Sequence, residues 1–296
     1  MAVSSRRLLR SVVQHIPAAG ALLRERDDVR RELAGLRRQV GELGTDLRDI
    51  RDILQFVYDD GPANRDRLWA LRASPEYELA FTEERPLVSV VITTYDRLET
   101  LLDVSIPSVL AQTYEDFELI VVGDCAPPET GEAVAAIGDP RISYYNRERR
   151  GPYPRDPRRY RRVKGGPPYN EGVRRARGRW LARLDDDDAY RPHALETLVH
   201  AVKENRWEYC SGRFFVAGQT ERPKPPELPG SLTAALYHAG LGFIEFELAD
   251  AVFFVCSDRS VVRRMYNYGV RMGALEEMLV DFDPLGLTAT RDPAEP

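Results

Sequence analysis

The chain has 296 residues, 43% hydrophobic and 30% charged, a balance that excludes a wholly disordered or fibrous protein and leaves room for about two folded units. Its 42 basic and 47 acidic side chains give a formal charge of -5, so global basicity does not point to nucleic acid and any anion site must be local. Three scattered cysteines, Cys125, Cys210 and Cys256, match neither a disulfide framework nor a zinc spacing and suit a reducing, cytoplasmic setting. Apolar runs such as 87–92 and 251–256 are about a third of the ~20 residues that a membrane span needs.

Residues 1–24 carry Arg6, Arg7, Arg10 and Arg24 and no acidic residue, with Leu8, Leu9, Val12, Val13 and Ile16 set before Pro17. The apolar part is too short and broken for a signal peptide. Two readings stand: a basic amphipathic helix lying on the anionic inner face of a membrane, or a solvated end. From Val29 the pattern changes. Val29, Leu33, Leu36, Val40, Leu43, Leu47, Ile50, Leu54 and Val57 are spaced alternately by four and three. Leu33, Val40, Leu47 and Leu54 take position a of a heptad and the others position d. So narrow a stripe, with Arg, Glu and Asp between, predicts a coiled-coil helix over 25–58 and a homo-oligomer through 29–57. The competing reading folds this helix back on its own chain. Residues 59–85 read as a connector with one short helix at 65–71.

From residue 87 strands and helices alternate. Strands are expected at 87–94, 117–123, 141–145 and 179–184, and helices at 98–112, 129–137, 170–177 and 192–202. This predicts an α/β fold, a Rossmann-like, mostly parallel sheet with helices on both faces, whose ligands sit beyond the carboxyl ends of the strands. Those ends deliver Thr93-Thr94-Tyr95-Asp96, Gly123-Asp124 and Asp185-Asp186-Asp187-Asp188. Four adjacent carboxylates are unfavourable unless solvated or neutralised. A solvated turn would satisfy them, and so would a hard cation, Mg2+ or Mn2+, which keeps coordination positions open for phosphate oxygens.

The segment LVSVVITTYDRLETLLDVSIPSVLAQTYEDFELIVVGD (87–124) resembles the opening of an inverting family 2 glycosyltransferase of the GT-A fold, and NEGVRRARGRWLARLDDDDAYRP (170–192) resembles that family's Asn-bearing helix, strand and DXD motif. The resemblance covers most of 87–203. It implies a glycosyltransferase domain at 86–290, with a nucleotide-sugar half at 86–204 and an acceptor half at 205–290. It also implies a metal-dependent enzyme that moves a sugar from a nucleotide-diphosphate donor to a hydroxyl acceptor, lipid-linked or glycan, in cell-surface glycan synthesis. Thr93 and Tyr95 would line the base pocket with Asp96 beside them, and Asp124 would hydrogen-bond the base. Asp187 would ligate the metal, with Asp185 as the other motif carboxylate. Asp185 and Asp186 would contact ribose or metal-bound water, Asp188 would hold the turn, and Asn170 matches the family's asparagine. The chain departs from the pattern at Gly123, Tyr169 and Val280.

Inversion needs a carboxylate that takes the acceptor's proton. Val280-Asp281-Phe282-Asp283 resembles the family's acidic pair before an aromatic residue, so Asp281 is the first choice, followed by Glu276 and Glu277, then Asp250. Between Arg147 and Lys164 nine basic residues face only Glu148 and Asp156. This stretch reads as a non-helical loop clamping a diphosphate or anionic acceptor, as a membrane-surface contact, or as a solvated loop. His193 reads as an accessory phosphate contact or as an ordinary first-turn residue. A strand is expected at 207–216 and a loop at 217–229. A non-catalytic coiled-coil assembly protein with a degenerate transferase domain is the alternative. A nucleotidyltransferase would show a Gly-rich phosphate loop after the first strand, and Thr94–Leu98 is not one.

Overall fold

The computed structural model describes residues 17–58, 61–216, 232–251 and 257–285. The basic segment up to residue 16, the loop at 217–229 and the apolar run 252–256 lie outside them. The chain falls into two compact units, Met1–Tyr58 and Asp59–Pro296.

In the first unit one α-helix runs from Pro17 to Tyr58. It begins inside the stretch assigned above to a separate N-terminal segment, because proline is tolerated in a first helical turn and nothing after Pro17 breaks the helix. The seam residues are exposed, from Leu33 at 47% to Val57 at 70%. No helix among the described residues is long and apolar enough to cross a membrane.

The second unit is built on an eight-stranded sheet with β1 Val88–Thr94, β2 Phe117–Gly123, β3 Ile142–Asn146, β4 Trp180–Asp185, β5 Ala189–Tyr190, β6 Tyr209–Val216, β7 Ala235–His238 and β8 Met272–Phe282. The spatial order is β3-β2-β1-β4-β7-β6-β8-β5. The β3-β2-β1-β4 half is wholly parallel. β7 is antiparallel to both neighbours, β8 runs parallel to β6, and β5 is antiparallel to β8. The expected architecture holds, with the antiparallel pairs confined to the second half.

β1 and β2 are buried along their whole length, as strands covered on both faces must be. Alternation sorts the two faces. Val88, Val90 and Ile92 join Leu119, Val121, Ala182 and Leu184 in a core with Leu101, Ile106, Leu195 and Leu198. On the other face helix Gly166–Arg175 lies so close that a Cβ on Gly172 would sit 2.4 Å from Val91. This helix begins four residues earlier than predicted, since Pro167 and Pro168 in its first turn cost no hydrogen bond.

Residues 59–85 are not a simple connector. Helices Gly61–Arg72 and Pro75–Thr82 bury Leu68, Tyr77, Ala80 and Phe81, and Phe81 packs edge-on against Trp180 with ring centres 5.4 Å apart. The first contains the short helix expected at 65–71 and runs beyond it at both ends, whereas the second was not expected, and its packing is tertiary. The basic insertion also contains an unforeseen helix, Pro157–Val163, where Asp156 caps the N-terminus by accepting from the Arg159 N–H. Proline at the first position starts this helix rather than breaking it.

Candidate functional site

Strand register builds the site. Thr94 pairs with Gly123 and Thr93 with Asp185, and the Asp124 N–H donates to the Thr94 carbonyl at 2.8 Å. At about 4.8 Å per strand, the backbones of Asp124 and Asp185 stand roughly 10 Å apart on one sheet edge, with β1 between them. Gly165, left-handed at φ 81° before the helix at 166–175, brings its backbone against Thr93 and Arg183; a Cβ there would lie 3.4 Å from Thr93 Oγ1.

The acidic turn leaves β4 with the Asp188 N–H donating to the Asp185 carbonyl at 3.2 Å, and Ser105 Oγ donates to the same carbonyl at 3.1 Å. Each carboxylate has a basic or backbone partner. Arg97, just past β1, pairs with Asp187 and lies 3.6 Å from Asp186. Arg183 on β4 holds Asp185 at 2.6 Å and reaches Asp258 at 3.3 Å. Asp188 accepts from the Asp283 N–H at 3.0 Å, which ties the turn to the end of β8. Burial and the neighbouring Asp187 push the Asp186 carboxyl up to about 7 despite Arg97. Burial with Asp185 and Asp187 pushes Asp188 up to about 9, and burial also raises Asp185, against the pull of Arg183. Among the described residues one oxygen of buried Asp188 finds no hydrogen-bond partner.

Among the described residues no cluster of three or more His, Cys, Asp or Glu is arranged to hold a metal. A hard divalent ion that keeps phosphate oxygens and water in its shell asks for only one or two carboxylates. Asp185 and Asp187, in a crowd of acids short of positive charge, fit that demand.

At the Asp124 end the chain closes over its own carboxylate. Arg147 pairs with Asp124, Tyr153 donates to it at 2.6 Å, and Arg150 lies 3.6 Å away. The Arg150 guanidinium rests 3.3 Å above the Tyr95 ring centre, and Tyr160 packs edge-on against Tyr153 at 5.4 Å. Asp96 is exposed beside them. Gly123, the first departure from the family's pattern, has a steric cause: a Cβ there would lie 2.6 Å from both Asn146 Oδ1 and the Tyr144 hydroxyl. Restoring the missing carboxylate with Gly123→Asp should therefore destabilise the fold by about 1–3 kcal/mol, read as a lowered melting temperature.

Other candidates are held by different partners. Asn170 is buried, and its amide donates to the Phe246 carbonyl at 2.8 Å and accepts from the Phe246 N–H at 2.9 Å. That bidentate clasp holds a loop. Tyr169, standing where the family has arginine, is buried with its hydroxyl 2.9 Å from that of Tyr237. His193 is exposed, 3.2 Å from Thr113 Oγ1. Asp250 is buried and accepts from Ser260 Oγ at 2.5 Å, which suits a structural cap.

Asp281 pairs across the ladder with Ala189, two residues beyond Asp187, and its carboxylate is held by Arg191 at 2.8 Å. Glu277 and Glu276 are exposed four and five residues earlier on the same strand, about 13 Å or more back along it, and Glu276 pairs with Arg213.

Sequence reasoning missed Arg97, Arg183 and Asp258. Arg183 could have been noticed as a charge inside an otherwise apolar strand. It is 6% exposed, its guanidinium lies 5.7 and 5.5 Å from the Tyr169 and Phe246 ring centres, and its Nε finds no hydrogen-bond partner among the described residues.

Known proteins share the family and the fold. The family model described as glycosyl transferase family 2 matches residues 89–154 and 158–269. The succinoglycan biosynthesis protein ExoO of Rhizobium meliloti is 37% identical over 115 residues, 38% of this chain and 29% of that protein. An uncharacterized glycosyltransferase of Rickettsia bellii is 31% identical over 121 residues, 40% of this chain and 16% of that one. The chain thus spans less than a third of either relative. Among solved structures, S. aureus TarS 1–349 in complex with UDP-GlcNAc aligns with a TM-score of 0.53 at 17% identity, over 66% of this chain and 57% of that one. The mannosyltransferase PcManGT of Pyrobaculum calidifontis, in complex with GDP-Man and Mn2+, aligns with a TM-score of 0.50 at 16% identity, over 79% and 68%. At such identities the likeness is one of fold.

Proposed function

The chain belongs to glycosyl transferase family 2, and on that premise we propose that it moves a sugar from a nucleotide-diphosphate donor to a hydroxyl acceptor with inversion, assisted by Mg2+ or Mn2+. The observation that carries this reading is the register that puts Thr93, Asp124 and Asp185 on one sheet edge. Donor-bound neighbours of the same fold, one with Mn2+, support it, and a relative named for succinoglycan synthesis supports a glycan or glycoconjugate product. The acceptor is then a glycan or a lipid-linked one, met by a cytoplasmic enzyme that touches the membrane peripherally through its basic N-terminus. The heptad seam joins copies of the chain.

The residues divide the work. Asp124, released by Tyr153 and Arg147, accepts a hydrogen bond from the nucleobase, while Thr93 and Tyr95 line the base pocket and Asp96 flanks it. Asp185 and Asp186 receive the ribose hydroxyls. A cation held by Asp187 and Asp185 would neutralise charge on the departing diphosphate. With Asp187 given to a cation, Arg97 would be at hand for the phosphate oxygens, which a guanidinium grips in bidentate fashion. Asp281 takes the acceptor's proton, with Arg191 holding the carboxylate in place until the acceptor arrives.

Calorimetric titration with UDP and GDP in the presence of Mn2+, followed by donor hydrolysis across a panel of nucleotide sugars, tests the whole reading. Failure to bind any nucleotide would leave the non-catalytic assembly protein. The base has its own test. Asp281→Asn should lower turnover by about 10²–10⁴-fold while donor affinity is kept; near-normal turnover would transfer the role to Glu277 or Glu276.

A further inference from the structure

We infer that the partner of helix Pro17–Tyr58 is a second copy of the same helix, parallel and in register. This rests on the oligomer reading above and adds what selects the partner and its direction. With Leu33, Val40, Leu47 and Leu54 at a, the e positions are Arg30, Arg37, Gly44, Arg51 and Tyr58, and the g positions are Glu32, Gln39, Asp46 and Ile53.

In a parallel in-register pair each g residue meets the e residue five places later in the partner. That rule matches Glu32 with Arg37, Asp46 with Arg51, Ile53 with Tyr58, and Gln39 with Gly44. Two of these pairs are opposite charges, one joins two apolar side chains at the end where the seam is widest, and one is neutral. Ile53 and Tyr58 are 63% and 61% exposed, so a second helix would bury further apolar surface there. An antiparallel pair instead brings e to e and g to g. It sets arginine beside arginine, removes both ion pairs and separates Ile53 from Tyr58. The charge pattern thus discriminates between directions, whereas the a and d residues alone do not. A parallel pair also brings both Tyr58 ends to one end of the coil, so two catalytic units follow from the same place.

Disulfide trapping and sedimentation of the full chain, in a Cys125→Ser, Cys256→Ser background, test this. Val29→Cys and Leu54→Cys chains should each trap as homodimers under mild oxidation. When they are mixed, no crosslink between residues 29 and 54 should form, because the two positions lie about 37 Å apart along a parallel pair. Arg37→Glu with Arg51→Glu should weaken the oligomer by at least about tenfold, and adding Glu32→Arg with Asp46→Arg to the same chain should restore it. A 29–54 crosslink, or an unchanged oligomer after the first reversal, overturns the parallel arrangement and leaves oligomerisation standing. A monomeric full-length protein overturns the oligomer reading itself.

Discussion

Asp187→Asn is expected to lower sugar transfer by about 10³-fold and to abolish the dependence of nucleotide binding on Mn2+, with little loss of stability. The expected rate loss follows from what the carboxylate faces. As the donor bond breaks, the diphosphate gains negative charge in a site already crowded with Asp185, Asp186 and Asp188, and only preorganised positive charge makes that departure easy. The amide keeps the shape and a hydrogen-bonding oxygen and loses the charge. Stability survives because, among the described residues, Asp187 pairs with Arg97 alone, and relieving one of several adjacent carboxylates offsets the lost ion pair. Calorimetry with and without Mn2+, set beside a thermal melt, separates these effects. Mn2+-enhanced binding that persists in Asp187→Asn would remove the residue from the metal site, whereas a collapsed melting temperature would make it structural.

The second large effect concerns stability. Glu208→Gln should cost about 3–5 kcal/mol, since it breaks a buried ion pair on one side only. For a folded unit of this size that is a fall in melting temperature of roughly 10 °C. Glu208 is fully buried and accepts from Nε and Nη2 of Arg72 at 2.7 Å each, from the Tyr77 hydroxyl at 2.7 Å and from the Arg271 N–H at 2.7 Å. It is the knot that joins helix Gly61–Arg72, helix Pro75–Thr82 and the start of β8. Burial alone would raise its carboxyl, but the hydrogen bonds from Arg72, Arg271 and Tyr77 outweigh burial and hold it below the usual carboxylate range. A carboxyl depressed in the folded state stabilises above its unfolded pKa, and that contribution is lost as pH falls through the folded value. The gap between wild type and Glu208→Gln should therefore be full at neutral pH and narrow in acid. Equal melting temperatures at pH 7 would show that the knot holds nothing. The same contact places any truncation meant to isolate the catalytic unit before Gly61, because a cut at Pro86 removes Tyr77 and Phe81 from the core.

The parts of the chain that could be read beforehand share one property: the information is local. β1 and β2 are runs of β-branched residues with a polar end, since a strand buried on both faces leaves solvent-facing residues only at its termini. The heptads show in the same way, through spacing alone. Helix Pro75–Thr82, and the full length of Gly61–Arg72 beyond the short helix read at 65–71, escaped because what makes them stable is Trp180, His238 and Glu208, residues about a hundred or more positions away. The start of the helix at Gly166 and the short helix at Pro157 escaped because a proline breaks a helix interior but is tolerated in a first turn, which here follows a left-handed Gly165 in one case and an Asp156 cap in the other.

The order of strand, carboxylate and helix, and the seam of the N-terminal helix, were determined by the amino-acid sequence itself, because hydrophobic period and charge spacing act over a few residues. Only the tertiary structure decided which charges meet. Arg97 on Asp187, Arg183 between Asp185 and Asp258, and Arg147 with Tyr153 on Asp124 are pairings across strand ends and an insertion. Ion pairs carry no periodic signature, and their partners are selected by register and burial once the sheet has formed.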